Sequence, residues 1–126
     1  MIRTTNRSAD YLTEYTDGTH TGESDAPAAK GGGDAAFTPF GLLEASLAAC
    51  LNITLRVYAK NHGIPLEDVT TEVSLVTGPD GSTFEYSADL PDTLDEGQKK
   101  RLIAAMKGCP IHGILNKPVA FEYKEK

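Results

Sequence analysis

Thr38-Pro39-Phe40-Gly41-Leu42-Leu43-Glu44-Ala45-Ser46-Leu47-Ala48-Ala49-Cys50-Leu51-Asn52-Ile53-Thr54-Leu55 is the stretch on which the fold turns. Thr38 is a cap residue, and Pro39 suits the first helical position because its missing N–H would go unpaired there anyway. The helix is expected to run to His62, with Gly63 just past its end and Pro65 two residues further on. That is about 24 residues, or roughly 36 Å. Its middle is apolar on nearly every side, so it is either buried in a core or spans a membrane. Glu44, Asn52 and Arg56 argue against a span. A chain of 126 residues has little left to surround such a helix. A second subunit is therefore expected to cover part of it. The small residues Ala45, Ser46, Ala48 and Ala49 would let that subunit approach closely.

Strands are expected on both sides. Asp17-Gly18 is a turn dipeptide, so Tyr11–Tyr15 and Thr19–Thr21 read as a hairpin. Residues 25–37, with Gly31-Gly32-Gly33 in their middle, read as a flexible loop, because three successive glycines lose much backbone entropy on ordering. After the helix, Val69–Val76 alternates and is rich in β-branched residues. Gly78-Pro79-Asp80-Gly81 turns the chain, and Thr83–Leu90 returns antiparallel. Thr93 with Glu96 three residues later is a capping-box pattern for a second helix, whose apolar face is Leu94, Leu102, Ile103 and Met106. Cys109-Pro110 starts a short helix through Leu115, and Val119–Tyr123 reads as a last strand. The order predicts a single α+β domain spanning 1–126.

Composition narrows the function. Lys and Arg number 12 and Asp and Glu 18, so the formal charge is 12 − 18 = −6. That balance disfavours phosphate-backbone binding and a membrane-surface role, so neither a nucleic acid nor a membrane is an expected partner. The start, Met1-Ile2-Arg3-Thr4-Thr5-Asn6, has no apolar signal core, so a cytoplasmic setting is expected. His20 and His62 have no partner at metal-ligand spacing, and no metal is expected. Gly31-Gly32-Gly33 lacks the flanking residues of a phosphate loop.

Two cysteines remain, Cys50 and Cys109, 109 − 50 = 59 residues apart. In a reducing compartment such a pair is either two small core residues or a working redox pair. Cys50 sits mid-helix among Ser46, Leu47, Ile53 and Thr54, a mostly apolar face that by itself raises a thiol pKa and reads as core filler. Cys109 occupies a helix N-cap, where backbone N–H groups favour a thiolate. His112, one turn on, is a candidate to hydrogen-bond it or lend it charge.

The run Leu42–Cys50, then Ile64-Pro65-Leu66-Glu67, then Cys109-Pro110-Ile111-His112, resembles the OsmC/Ohr family of osmotically inducible and organic-hydroperoxide-resistance proteins. The resemblance extends from about Tyr11 to the C-terminus. It implies antiparallel sheets wrapped around long central helices in an intertwined homodimer. It also implies a thiol peroxidase that reduces organic hydroperoxides in oxidative-stress defence. Cys50 would then be the peroxidatic residue and Cys109 the resolving one. The family binds no cofactor for this chemistry, and an external dithiol of lipoyl type restores the thiols. Family peroxidases also hold an Arg near the reactive thiol with a Glu that follows the helix-opening Pro. This chain has Phe40 at that position. Arg7 or Arg3 would supply the charge, with Glu44 as the residue to hold it. The alternative function is a non-peroxidatic dimer of the same fold that binds a small apolar ligand.

Overall fold

The computed structural model describes residues 1–126, which fall into two compact units, Met1–Glu44 and Ala45–Lys126. The first unit holds β1 (Arg3–Asn6), β2 (Thr13–Thr16) and β3 (Thr21–Ser24), an antiparallel sheet in the order β1-β2-β3. The expected hairpin is β2–β3, closed by Thr16 opposite Thr21. Asp17 secures its turn by accepting the N–H groups of Thr19 at 2.8 Å and His20 at 2.6 Å. These bonds and the His20 ring hold the Asp17 carboxyl down at about 2. The polar β1 was not expected; its four residues are all exposed and pair only along β2.

Residues 25–37 are organised around a buried aspartate. Asp25 is 3% exposed, and its carboxylate accepts the N–H groups of Ala26 (2.8 Å) and Ala35 (3.1 Å). Ser24 Oγ donates to the Phe37 carbonyl at 2.8 Å, closing the loop at its base. Ala28–Lys30 form one 3-10 turn. Gly32 lies so close to the Ala26 carbonyl that any Cβ there would collide with it.

Helix α1 spans Pro39–Asn61. Both ends follow the sequence rules. Thr38 Oγ1 accepts the Gly41 N–H at 3.1 Å, and Gly63 takes the left-handed conformation at φ 65°. The first six residues of α1 belong to the first unit and the rest to the second.

In the second unit, α1 buries one stripe, Leu47, Leu51, Leu55 and Ala59, at spacings of four. This stripe joins Ile64, Leu94, Leu102, Met106 and Cys109 in the core. β4 (Thr70–Gly78) and β5 (Gly81–Asp89) form an antiparallel pair, with Gly78 opposite Gly81 at the tight turn. Val73 and Leu75 on β4 and Phe84, Tyr86 and Ala88 on β5 are half-buried, and the residues between them are exposed. The Thr71 hydroxyl donates to the Ala48 carbonyl at 2.8 Å, and Asn52 Nδ2 to the Val69 carbonyl at 3.0 Å. Both bonds tie the sheet to α1.

α2 runs Glu96–Ala105, and a 3-10 turn Met106–Gly108 leads into α3, Pro110–Leu115. Two expectations need correction. The cap of α2 is Asp95, not Thr93: Asp95 accepts the Gln98 N–H at 2.7 Å, and Gln98 reaches back to the Asp95 N–H at 3.0 Å. Two capping boxes overlap in this sequence, and the one used leaves Leu94 in the core at 4% exposure. The expected strand Val119–Tyr123 does not form. Phe121 and Tyr123 are almost fully exposed, and no strand of the chain pairs with the segment. An alternating pattern specifies a strand only where an edge is there to satisfy its backbone.

Candidate functional site

α1 and the start of α3 bring Cys50 and Cys109 into contact, and both are free thiols. The local reason for Cys109 is legible. Gly108 ends the 3-10 turn, Cys109 turns to extended backbone at φ −60° and ψ 126°, and Pro110 opens α3. The Cys109 carbonyl accepts the Gly113 N–H at 3.0 Å, which completes the N-cap.

The electrostatics invert what each cysteine suggests alone. Burial pushes the Cys50 thiol up, but three hydrogen bonds outweigh it. The donors are the Cys109 thiol, the Ile111 backbone N–H and the Thr54 hydroxyl, and the net direction is down. Cys109 moves the other way. Burial raises it, and so does the neighbouring Cys50, against the opposing pull of the His112 and Ile111 backbone N–H groups. Cys109 is 1% exposed, so burial prevails over its N-cap position. The two thiols titrate as one pair, with Cys50 shifted down and Cys109 shifted up.

Cys50 opens onto a groove of about 660 Å³. Ile53, Thr54 and Val57 line it from α1, and Ala104, Ala105 and Pro110 face them. Its walls are mainly apolar, with Asn61 and His62 at the far end of the α1 stripe. Such a groove accepts a hydrocarbon group and presents it to one sulfur.

The supporting candidates fare unequally. The His112 ring packs edge-on against Tyr86, with centroids 5.6 Å apart, and only its backbone N–H serves Cys109. Arg7 lies 3.5 Å from Glu14 within the first unit, and Arg3 is exposed on β1. Glu44 is half-buried on α1, and Phe40 on its first turn is 61% exposed. His20 pairs with Asp17 at 3.0 Å, and His62 stacks on Tyr58 at 3.9 Å. No three His, Cys, Asp or Glu side chains are grouped to hold a metal ion. Two contributors escaped the sequence reading, Thr54 and the Ile111 N–H. Thr54 had a signal, since it lies one turn from Cys50 on the same face. Ile111 had none, because its role depends on how α3 meets α1.

Comparison with known proteins bears on the fold and the family. No curated protein sequence matches the chain. Among solved structures, a putative osmotic stress induced and detoxification response protein from Psychrobacter arcticus superposes with a TM-score of 0.76. It is 24% identical, over 90% of this chain and 85% of that one. An organic hydroperoxide resistance protein OsmC from Legionella pneumophila is 28% identical, with a TM-score of 0.66, over 91% of this chain and 87% of that one. The organic hydroperoxide resistance protein OhrB of Bacillus subtilis is 23% identical, with a TM-score of 0.63, over 90% of this chain and 87% of that one. The α+β arrangement of antiparallel sheets and a long helix is the fold these proteins share. The family model described as OsmC-like protein matches residues 31–124, a span that includes both cysteines, and the chain belongs to that family.

Proposed function

We propose that the protein is a thiol-dependent peroxidase that reduces organic hydroperoxides, with Cys50 peroxidatic and Cys109 resolving. The observation that carries this reading is the pair of free thiols in contact, with Cys50 lining the groove and Cys109 buried behind it. The Cys50 thiolate attacks a peroxide oxygen, the O–O bond breaks, and an alcohol leaves with a proton. Cys50 is then a sulfenic acid. The Cys109 sulfur attacks it, water leaves, and a disulfide forms. One hydroperoxide has taken two electrons from two thiols. A dithiol, lipoyl-type by the family resemblance, returns them by exchange. No bound cofactor is needed. The working unit is a homodimer, supported by the exposed apolar face of α1, and its setting is the cytoplasm. The name of the Legionella relative, an organic hydroperoxide resistance protein, supports the substrate class. The test is consumption of cumene hydroperoxide in the presence of dihydrolipoamide. Wild type is expected to turn over, and Cys50→Ser is expected to lose at least about a hundredfold.

A second reading is favoured by one observation: the groove that Cys50 lines is mainly apolar, and Phe40 stands where the family's peroxidases carry a Glu. In that reading the dimer binds a small apolar ligand and does no peroxide chemistry. Native mass spectrometry of the purified protein would show a retained ligand, and mild peroxide would leave both thiols intact.

A further inference from the structure

We propose that Thr71 and Asn52 are positioning residues for the reactive thiol: their hydrogen bonds between α1 and β4 fix the rotation of α1 about its own axis, and so set where the Cys50 sulfur lies against Cys109. The inference rests on the redox-pair reading above and adds to it what holds the pair in register. The Thr71 hydroxyl donates to the Ala48 carbonyl at 2.8 Å, and Asn52 Nδ2 donates to the Val69 carbonyl at 3.0 Å. Arg56 Nε donates to Asn52 Oδ1 at 2.8 Å, which turns the amide so that its NH2 group faces Val69. Thr71 begins the half-buried row that continues on β4 as Val73 and Leu75, and its hydroxyl finds its partner on α1.

The position of Cys50 between the two bonds gives them their effect. Ala48 precedes Cys50 by two residues, and Asn52 follows it by two. At 3.6 residues per turn, both lie about 160° round the helix from Cys50. β4 therefore holds one flank of α1, while the thiol meets Cys109 and the Ile111 N–H on the other. Between the flanks runs the buried stripe Leu47, Leu51 and Leu55.

Apolar packing is non-directional and lets a helix turn slightly with little loss of buried area. Hydrogen bonds are directional and oppose that turn. An atom about 5 Å from the helix axis moves by about 0.9 Å when the helix turns by about 10°. A reactive constellation tolerates only about 0.5 Å, so such a turn would take the Cys50 sulfur out of register. Two bonds one helical turn apart resist both rotation and tilt.

The experiment uses no hydroperoxide, so failure of the peroxidase reading stays separate from failure of this one. Diamide takes two electrons and two protons from the thiols and forms the Cys50–Cys109 disulfide. The oxidised protein is then equilibrated in dithiothreitol buffers of graded redox ratio, and alkylation with intact mass reads the fraction reduced. Thr71→Val and Asn52→Leu each remove one donor with little change in side-chain size. Each is expected to shift the equilibrium toward the two thiols by about fivefold or more. The pH midpoint of Cys50 alkylation in the reduced protein is expected to rise in the same variants. Thr71→Ser keeps the hydroxyl and is expected to restore both values. Ile64→Ala trims the same core past the end of α1 and separates positioning from plain stability. It is expected to lower the denaturation midpoint and leave both thiol values at wild type. Unchanged thiol values in Thr71→Val and Asn52→Leu, or an equal shift in Ile64→Ala, overturn the proposal. If diamide forms no disulfide in wild type, the redox reading fails, and the alkylation midpoints alone decide this one.

Discussion

Cys50 and Cys109 illustrate how a neighbour reverses a local rule. Read singly, an apolar mid-helix cysteine is inert and an N-cap cysteine is activated. Together, burial of Cys109 and the donors around Cys50 reverse that order. The sequence supplied both residues and the cap, but not the contact between them, since 59 residues of spacing carry no distance. The lowered Cys50 thiol is expected to alkylate with iodoacetamide at lower pH than an ordinary cysteine. Its thiolate fraction should rise as pH climbs through a folded value below the usual one, whereas Cys109 should need more alkaline solution. Thr54→Val removes one donor and should move the Cys50 alkylation midpoint upward, and Thr54→Ser should restore it. An unmoved midpoint in the valine variant would remove Thr54 from the site. His112 shows the opposite lesson. Its ring was the attractive feature, but its backbone N–H does the bonding and the ring belongs to the packing around Tyr86.

At the scale of elements, legibility followed the range of the interactions. The two ends of α1 were readable because Thr38, Pro39 and Gly63 act on their own backbone neighbourhood. β4 and β5 were readable because a tight turn joins them. The segment Val119–Tyr123 was misread because a strand depends on an edge elsewhere, and the α2 cap was misread because two boxes overlap. Gly63 offers a clean test. A Cβ there would meet nothing within 4 Å, so Gly63→Ala carries only the left-handed backbone penalty, about 1–2 kcal/mol. Chemical denaturation should show that loss, and a neutral result would mean that the helix end relaxes. Leu51, fully buried at the centre of the stripe, should cost more, roughly 2–5 kcal/mol as Leu51→Ala.

For the whole molecule, the decisive fact is how little of α1 one chain covers. Four of its 23 residues are buried, and only 17% of its most apolar window lies inside the structure. Length and composition alone would let this helix cross a membrane, but its Leu47, Leu51, Leu55 and Ala59 stripe is packed into the protein core. In the proposed homodimer a second copy would cover Ala45, Ala49 and Ile53, all exposed in one chain. Sedimentation is expected to give twice 13.5 kDa, or 27 kDa, and Ala49→Glu should shift the mass toward the single chain. A 13.5 kDa species at micromolar wild-type protein would contradict the dimer. The chemistry at the two sulfurs is the central claim, and a single-turnover titration tests it most directly. One equivalent of tert-butyl hydroperoxide per chain should consume both thiols, release tert-butanol and leave a Cys50–Cys109 disulfide, seen as the loss of two hydrogens in the intact mass. Two surviving thiols, or a lone oxidised Cys50 that Cys109 never resolves, would contradict it.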